Sequence, residues 1–227
     1  MNFLKKFLIR NFIKKVNWVN FRNTKPVSPI FGLDRGTPID RYYIEKFLSN
    51  SRGYIKGTVL EISENTYSKK FGNNVIEYDI LHYDNSNKDA TIIGDLTKIE
   101  TLPANKIDCF ICTQTFNFIY DFKSAVKGSY HLLKKKGVLL ATLGGISQIS
   151  KYDMERWGDY WRFTTKSAQN IFSEIFGSQN VKIDFWGNVL SAVSFLEGIS
   201  AEELTEKELE YKDDSYQMLI TVVAKKV

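Results

Sequence analysis

The hydrophobic positions of this chain gather into short runs, and the first three stop at or beside a carboxylate. Thr58-Val59-Leu60-Glu61-Ile62 is β-branched and apolar and gives way to Ser63, Glu64 and Asn65, the pattern of a buried strand feeding a polar turn. A second run, Val75-Ile76-Glu77-Tyr78, ends at Asp79, and a third, Ala90 to Gly94, ends at Asp95. Read as three successive strands, they bring Glu61, Asp79 and Asp95 to one sheet edge. In an open parallel sheet that edge, at the carboxyl ends of the strands, is where ligands bind.

The rest of the pattern alternates in the same way. Ile107 to Thr113 is apolar nearly throughout, as expected of a strand covered on both faces. Val138 to Leu143, Val181 to Trp186 and Tyr216 to Ala224 supply strands five to seven. Between them, a helix is expected from Thr37 to about Ser51, with Pro38 in its first turn and Asp40 completing a cap-like box. Only Ser63 to Asn74 separate the first two strands, enough for a short crossover helix. The stretch from His82 to Lys88 reads as loop. Another helix opens at Asp121 and is expected to close at Lys134-Lys135-Lys136-Gly137, where cations and a following glycine suit a helix C-terminus. A helix from Thr164 to Phe176 stops at Gly177, and a capping box at Ser200 to Glu203 starts one more. Gly144 to Phe163, dense in Tyr, Trp, Asp and Arg, is expected to form a lid or substrate wall rather than core.

Composition changes this picture in two places. The net charge of +5 suggests nucleic acid, but residues 1–33 hold seven Lys or Arg and no acid, leaving 24 basic against 26 acidic residues in the remainder. The body is therefore not a basic platform, and no nucleic-acid partner is expected. From Leu8 onward, residues 1–20 divide on a helical wheel, with Leu8, Ile9, Phe12, Ile13 and Val16 opposite Lys6, Arg10 and Lys14, while Phe3 and Phe7 interrupt the polar face. That suits either a basic helix lying on an anionic membrane or a helix packed on the domain or a partner subunit, so an oligomer stays open. The expected organisation is a basic N-terminal helix and linker over 1–33 and one domain over 34–227, in the cytoplasm or peripheral at the inner membrane face. Lysines interrupt the apolar stretch and no small-residue cleavage site follows, so a secretory signal is not expected.

The pair Cys109 and Cys112 has the C-x-x-C spacing of redox and metal motifs. Placed on a strand, the two side chains face opposite sides, and no other cysteine completes a zinc site. Buried structural thiols are the expectation, which agrees with a reducing compartment. No metal is expected, since no His, Asp and Glu cluster has ligand spacing.

Alternating strands and helices, acids at the ends of the first three strands, and a late strand pair resemble the class I S-adenosylmethionine-dependent methyltransferases from about Gly36 to Val227. Arg35-Gly36-Thr37-Pro38-Ile39-Asp40-Arg41-Tyr42-Tyr43, Val59 to Tyr67, and Asp159-Tyr160-Trp161-Arg162-Phe163-Thr164 are similar to a bacterial branch of that family whose members often accompany glycosyltransferases. The resemblance implies an α/β, Rossmann-like sheet of seven strands, mostly parallel with the last antiparallel, flanked by helices. It also implies S-adenosylmethionine as cofactor and S-adenosylhomocysteine as product.

Carried over by position, it puts Glu61, Ser63, Asn65 and Tyr67 beside the methionine moiety, Asp79 on the ribose hydroxyls, and Asp95 with Leu96 around the adenine. Thr113, Gln114 and Thr115 would lie next to the sulfonium. Arg41, with Tyr42 beside it, would meet the cofactor carboxylate, a bidentate geometry that suits Arg. The family at large has Gly-x-Gly-x-Gly after the first acid, where this chain has Ser63, Asn65 and Tyr67. Those glycines serve close approach to a pyrophosphate, which a sulfonium cofactor lacks, so their loss speaks more against a nicotinamide cofactor than against this one.

Methyl transfer to a hydroxyl needs an aligned nucleophile and a base. Asp153 or Asp159 is the expected base, with Arg156, Tyr160, Trp161 and Arg162 as acceptor contacts. The acceptor expected from the resemblance and the aromatic lid is a glycan, glycan precursor or other small molecule. The rival reading is a cofactor-fold protein without catalysis that serves as scaffold or partner in glycan assembly.

Overall fold

A computed structural model describes residues 22–227. The basic helix expected over residues 1–20, with the membrane or partner contact ascribed to it, lies outside the described residues. In chain order the elements are α1 (Ile39–Asn50), β1 (Gly57–Ile62), α2 (Thr66–Phe71), β2 (Val75–His82), β3 (Ile92–Ile93), β4 (Ile107–Thr113), α3 (Phe122–Leu132), β5 (Leu133–Gly144), α4 (Lys151–Arg156), α5 (Thr165–Phe176), β6 (Val181–Trp186), α6 (Val189–Glu197), α7 (Glu206–Glu210) and β7 (Leu219–Lys225).

The strands form one seven-stranded sheet in the order β3-β2-β1-β4-β5-β7-β6. Pairs from β3 through β5 are parallel, while β7 runs antiparallel to both β5 and β6. The inner strands are buried on both faces because side chains alternate across them. In β4, Phe110 and Cys112 join the core beneath α3 and α5, whereas Cys109 and Ile111 join the core beneath α1 and α6. Both thiols are buried and free, and burial pushes both above their ordinary range, which leaves them inert packing groups.

Several boundaries differ from the expectation for identifiable reasons. α1 begins at Ile39 after Pro38, and no side chain caps it. Thr37 instead donates its hydroxyl to Glu202 Oε1 (2.6 Å), so the expected box with Asp40 does not form. β2 continues past Asp79 to His82, and the third strand shrinks to Ile92 and Ile93. α3 ends at Leu132 rather than at Gly137, since Leu133 pairs with Ile107 as the start of β5 and Lys134 reaches Asp108 at 2.7 Å. The box at Ser200 to Glu203 forms but holds a single 3-10 turn, and Thr205 with Glu208 makes a second box that starts α7. α6, capped by Asn188, was not expected. The stretch preceding α1 is docked, with Ser28 fully buried, its N–H donating to Glu197 O (2.9 Å), and Phe31 packed on Phe195. No described helix is long and apolar enough to cross a membrane.

Candidate active site

The chain leaves β1 and β4 in opposite directions, so the carboxyl ends of these neighbours form the switch point at which an open α/β sheet leaves a crevice. Two tight turns keep the crevice open. Ser63 follows β1 at φ 65° and Gln114 follows β4 at φ 48°, both in the left-handed region. Each is pinned from behind: the Ser63 N–H donates to Leu81 O (3.0 Å), and the Gln114 N–H to Thr142 O (3.0 Å) and Oγ1 (3.1 Å).

Glu61 builds the floor of the first turn. Its buried carboxylate accepts the backbone N–H groups of Tyr67 (3.2 Å) and Ser68 (2.7 Å), the free donors that open α2. Burial raises its pKa despite those bonds. A carboxylate so occupied holds the turn in place and lines neither part of the crevice.

The crevice has two lobes that share Gln114, Phe118 and Asp153. The larger, of about 670 Å³, has an apolar floor that includes Ile62, Leu81 and Leu96 and a polar rim that includes His82, Asp95 and Thr97. Asp95 is braced by the N–H (2.9 Å) and hydroxyl (2.7 Å) of Thr97. The smaller lobe, of about 290 Å³, lies between the first turn of α1 and the segment after β5. Arg41, Tyr67 and Thr113 reach it, and burial pushes the Tyr67 phenol up to about 12.

The segment after β5 folds over both lobes. Ser150 caps α4, and its hydroxyl donates to Asp153 Oδ2 (2.6 Å). Beyond the helix, Trp157 stands edge-on to His82 (6.2 Å) and close to Tyr83 (6.3 Å), bridging from the lid to the end of β2. Arg156 lies flat on Tyr152, 3.5 Å from the ring centroid. Ser63, Thr115, Arg156 and Tyr160 border the larger lobe and Arg162 the smaller.

Four expected positions take other roles. Asp79 is buried within β2 rather than at its end, with Oδ1 taking the Thr91 hydroxyl (2.7 Å) and Oδ2 pairing with Lys106 (2.7 Å). It faces no lobe, so the three acids do not converge, and the residues that reach the crevice from this strand end are Leu81, His82 and Tyr83. Asn65 begins α2 and Tyr42 packs against Tyr43, each away from the lobes. Trp161 is a wall residue, donating to Tyr120 O (3.1 Å), stacking on the Tyr120 ring and meeting Phe122 edge-on.

Asp159 reaches the smaller lobe but is committed. Burial acts to raise its pKa, yet the fork of Arg162 (2.5 and 2.9 Å) and the Ser150 N–H (3.1 Å) hold it below the carboxylate range, so it makes a poor base. Among residues that the sequence pattern does not mark, Asn117 is 5% exposed, lines the smaller lobe, and has a buried side-chain oxygen with no partner.

These residues fit S-adenosylmethionine. An apolar cavity of this size with a polar rim suits a nucleoside, and the polar and charged side chains lining the adjoining lobe suit a polar ligand end. Tolerance of Ser63 at a left-handed turn shows how the chain keeps the crevice open without the glycine.

Comparisons with known proteins agree. Residues 53–141, spanning β1 to most of β5, match the family model described as a methyltransferase domain. A comparison with curated proteins finds no match. Among solved structures, the chain is similar to a SAM-dependent methyltransferase from Archaeoglobus fulgidus, with 15% identity over 82% of this chain and 94% of that one, and a TM-score of 0.52. It is similar also to the CMeT domain of the citrinin polyketide synthase (11% identity, 82% and 53% covered, TM-score 0.52) and to the [4+2]-cyclase SpnF (13% identity, 85% of each chain, TM-score 0.51). At these identities the likeness establishes the fold, and the cyclase illustrates that one fold serves more than one reaction. The family match over residues 53–141 adds to this fold a methyltransferase domain model, and together they support S-adenosylmethionine-dependent methyl transfer.

Proposed function

We propose that the protein methylates a hydroxyl of a glycan or glycan precursor. The observation that carries this reading is the aromatic rim of the crevice, where Tyr120 (71% exposed), Tyr160 (48%) and Trp157 (42%) stand in solvent beside Tyr83 and Tyr152. Exposed rings around a polar cleft suit the C–H faces of sugars, whose hydroxyls then meet the polar groups between them. The likeness of the Arg35 to Tyr43 block to a glycosyltransferase-associated branch supports the same substrate class.

Bound S-adenosylmethionine supplies a methyl group on a positively charged sulfur. The chain's task is to hold the acceptor oxygen in line and take its proton. Asp153 is the acid for that role, since it borders both lobes and only one of its oxygens is occupied, by Ser150. The lid carries it, so closure over an acceptor sets its position.

The test is transfer of tritium from methyl-labelled S-adenosylmethionine to methyl glycosides of hexoses and deoxyhexoses and to nucleotide sugars. Turnover is expected with at least one sugar class. Asp153→Asn should lower it about 10²- to 10⁴-fold with S-adenosylhomocysteine affinity unchanged. Binding of S-adenosylhomocysteine without transfer to any of these acceptors would reject the glycan assignment.

A further inference from the structure

The sheet face on which α1 packs is left open at one corner. Side chains alternate across a strand, so Val181, Ile183 and Phe185 of β6 turn toward the core under α5 while Lys182, Asp184 and Trp186 turn the other way. On β7, Ile220 and Val222 belong to the same α5 core, and the register sets Thr221 beside Asp184 and Val223 beside Lys182. Tyr43 of α1 stacks on Trp186 at 5.5 Å. Past that contact a cavity of about 580 Å³ opens between the two strands, the last turn of α1 and Tyr54. It has the size of a small-molecule site and shares no lining residue with either lobe of the crevice.

Three features of the lining point to one kind of occupant. Ser51 and Thr221 line the cavity, are only 6% and 3% exposed, and have hydroxyls that no described residue bonds. A nearly buried hydroxyl without a partner in the protein suits one supplied by a ligand. Lys182 and Lys225 also line the cavity, and neither has an ion-pair partner among the described residues. The acid in the lining, Asp184, has both oxygens held by Lys212 (2.9 and 2.8 Å), so it does not neutralise them. Finally, the rings are already engaged. Trp186 carries Tyr43 and has Lys212 at 4.3 Å from its ring, while Lys225 lies 4.9 Å over Tyr54. A planar base would find little ring face to stack on, whereas hydroxyls would meet Ser51 and Thr221 with the amides of Asn50 and Gln179 beside them.

We propose that this cavity is a second ligand site, separate from the crevice, for a small phosphorylated polyol such as a sugar phosphate, with Lys182 and Lys225 on the phosphate and Ser51 and Thr221 on the hydroxyls. Lysine meets a phosphate as a point charge on a flexible stem, so two of them close on it without a fixed fork geometry. The site rests on neither the cofactor assignment nor the glycan acceptor. It gives α1 a ligand at each end: Arg41 in the first turn borders the smaller lobe, and Asn50, about 14 Å further along the helix axis, borders this cavity.

Calorimetry on the full chain tests the site with hexose 1- and 6-phosphates, the unphosphorylated hexoses and inorganic phosphate, and flotation tests it with phosphatidylinositol 4-phosphate in neutral vesicles. The soluble and vesicle arms tell a free sugar phosphate from a lipid headgroup of the same chemistry. At least one phosphorylated polyol should bind with a dissociation constant below about 1 mM, and at least about tenfold more tightly than hexose or phosphate alone. Lys182→Gln and Lys225→Gln should each weaken it about 10- to 100-fold. Thr221→Val, which keeps the shape of the side chain, should weaken it about 3- to 10-fold without lowering the denaturation midpoint. Trp157→Ala, in the crevice, should leave it unchanged.

Failure of every phosphorylated probe to bind at millimolar concentration would overturn the proposal. So would inorganic phosphate that binds as tightly as the sugar phosphates, which marks a bare cationic patch. Affinity that follows Trp157→Ala and ignores Lys182, Lys225 and Thr221 would also overturn it, because the sugar phosphate would then be an acceptor in the crevice, and the glycan reading would stand without the second site.

Discussion

Ser63 has a backbone conformation that its side chain disfavours. At φ 65° it occupies the left-handed region, which costs a non-glycine residue about 1–2 kcal/mol. Glycine there would escape that cost but lose about 0.5–1 kcal/mol through its freer unfolded chain. Ser63→Gly should therefore raise unfolding stability by about 0.5–1 kcal/mol, read as a higher denaturation midpoint at constant m value. A lower midpoint would mean that the serine side chain stabilises the turn by more than its strain. The strain could not be foreseen from the serine itself, but the place of the first family glycine marks where the backbone must reverse. Asp40 illegibility has a different cause. Thr37, Pro38 and Asp40 read locally as a helix start, and the group that diverts Thr37, Glu202, lies 165 residues away. Asn117 gave no signal at all, since an orphaned oxygen is defined by what surrounds it.

Among the elements, long or strongly patterned ones were legible and short ones were not. β4 and α5 follow their apolar pattern and caps almost to the residue, because a continuous apolar run and a Thr164 box are local properties. β3 is reduced to two residues and α3 stops early, and in both cases pairing with a distant partner decides the boundary. Lys134-Lys135-Lys136-Gly137 has the composition of a helix end, yet Leu133 gains a strand partner in Ile107 by leaving the helix. The approach of α3 to the crevice depends on one small residue. A Cβ on Gly128 would sit 2.0 Å from the backbone oxygen of Leu96, which lines the larger lobe. Gly128→Ala should cost about 1–3 kcal/mol of stability and push Leu96 inward. Methylthioadenosine affinity, measured by calorimetry, should fall with it. Unchanged affinity in a folded variant would show that the Leu96 loop yields outward and that the lobe does not depend on α3.

For the whole molecule, the number of strands and the carboxyl-edge crevice followed from the alternation of elements, and the family resemblance carried the antiparallel last strand. What stayed hidden was depth along each strand. Asp79 closes an apolar run, but β2 extends to His82, and the register that pairs Leu60 with Asp79 puts that acid below the crevice. Register belongs to pairs of strands, and no single run displays it. The same extension brings His82 and Tyr83 up to meet Trp157, joining the lid to the opposite wall of the larger lobe. Most residues of α4 are exposed, so those ring contacts and the Ser150 cap carry much of what holds the lid down. A segment held by so few contacts opens at low free-energy cost, and a ligand beneath it adds contacts only to the closed form. S-adenosylhomocysteine should therefore slow amide exchange across residues 151–157. Trp157→Ala should abolish most of that protection and speed ligand release about tenfold while leaving exchange in β4 and β5 unaltered, as measured by mass spectrometry and stopped-flow fluorescence. Protection that persists in the variant would show that the lid is held from the acceptor side, through Asp159 and Arg162, and that the bridge to β2 is incidental.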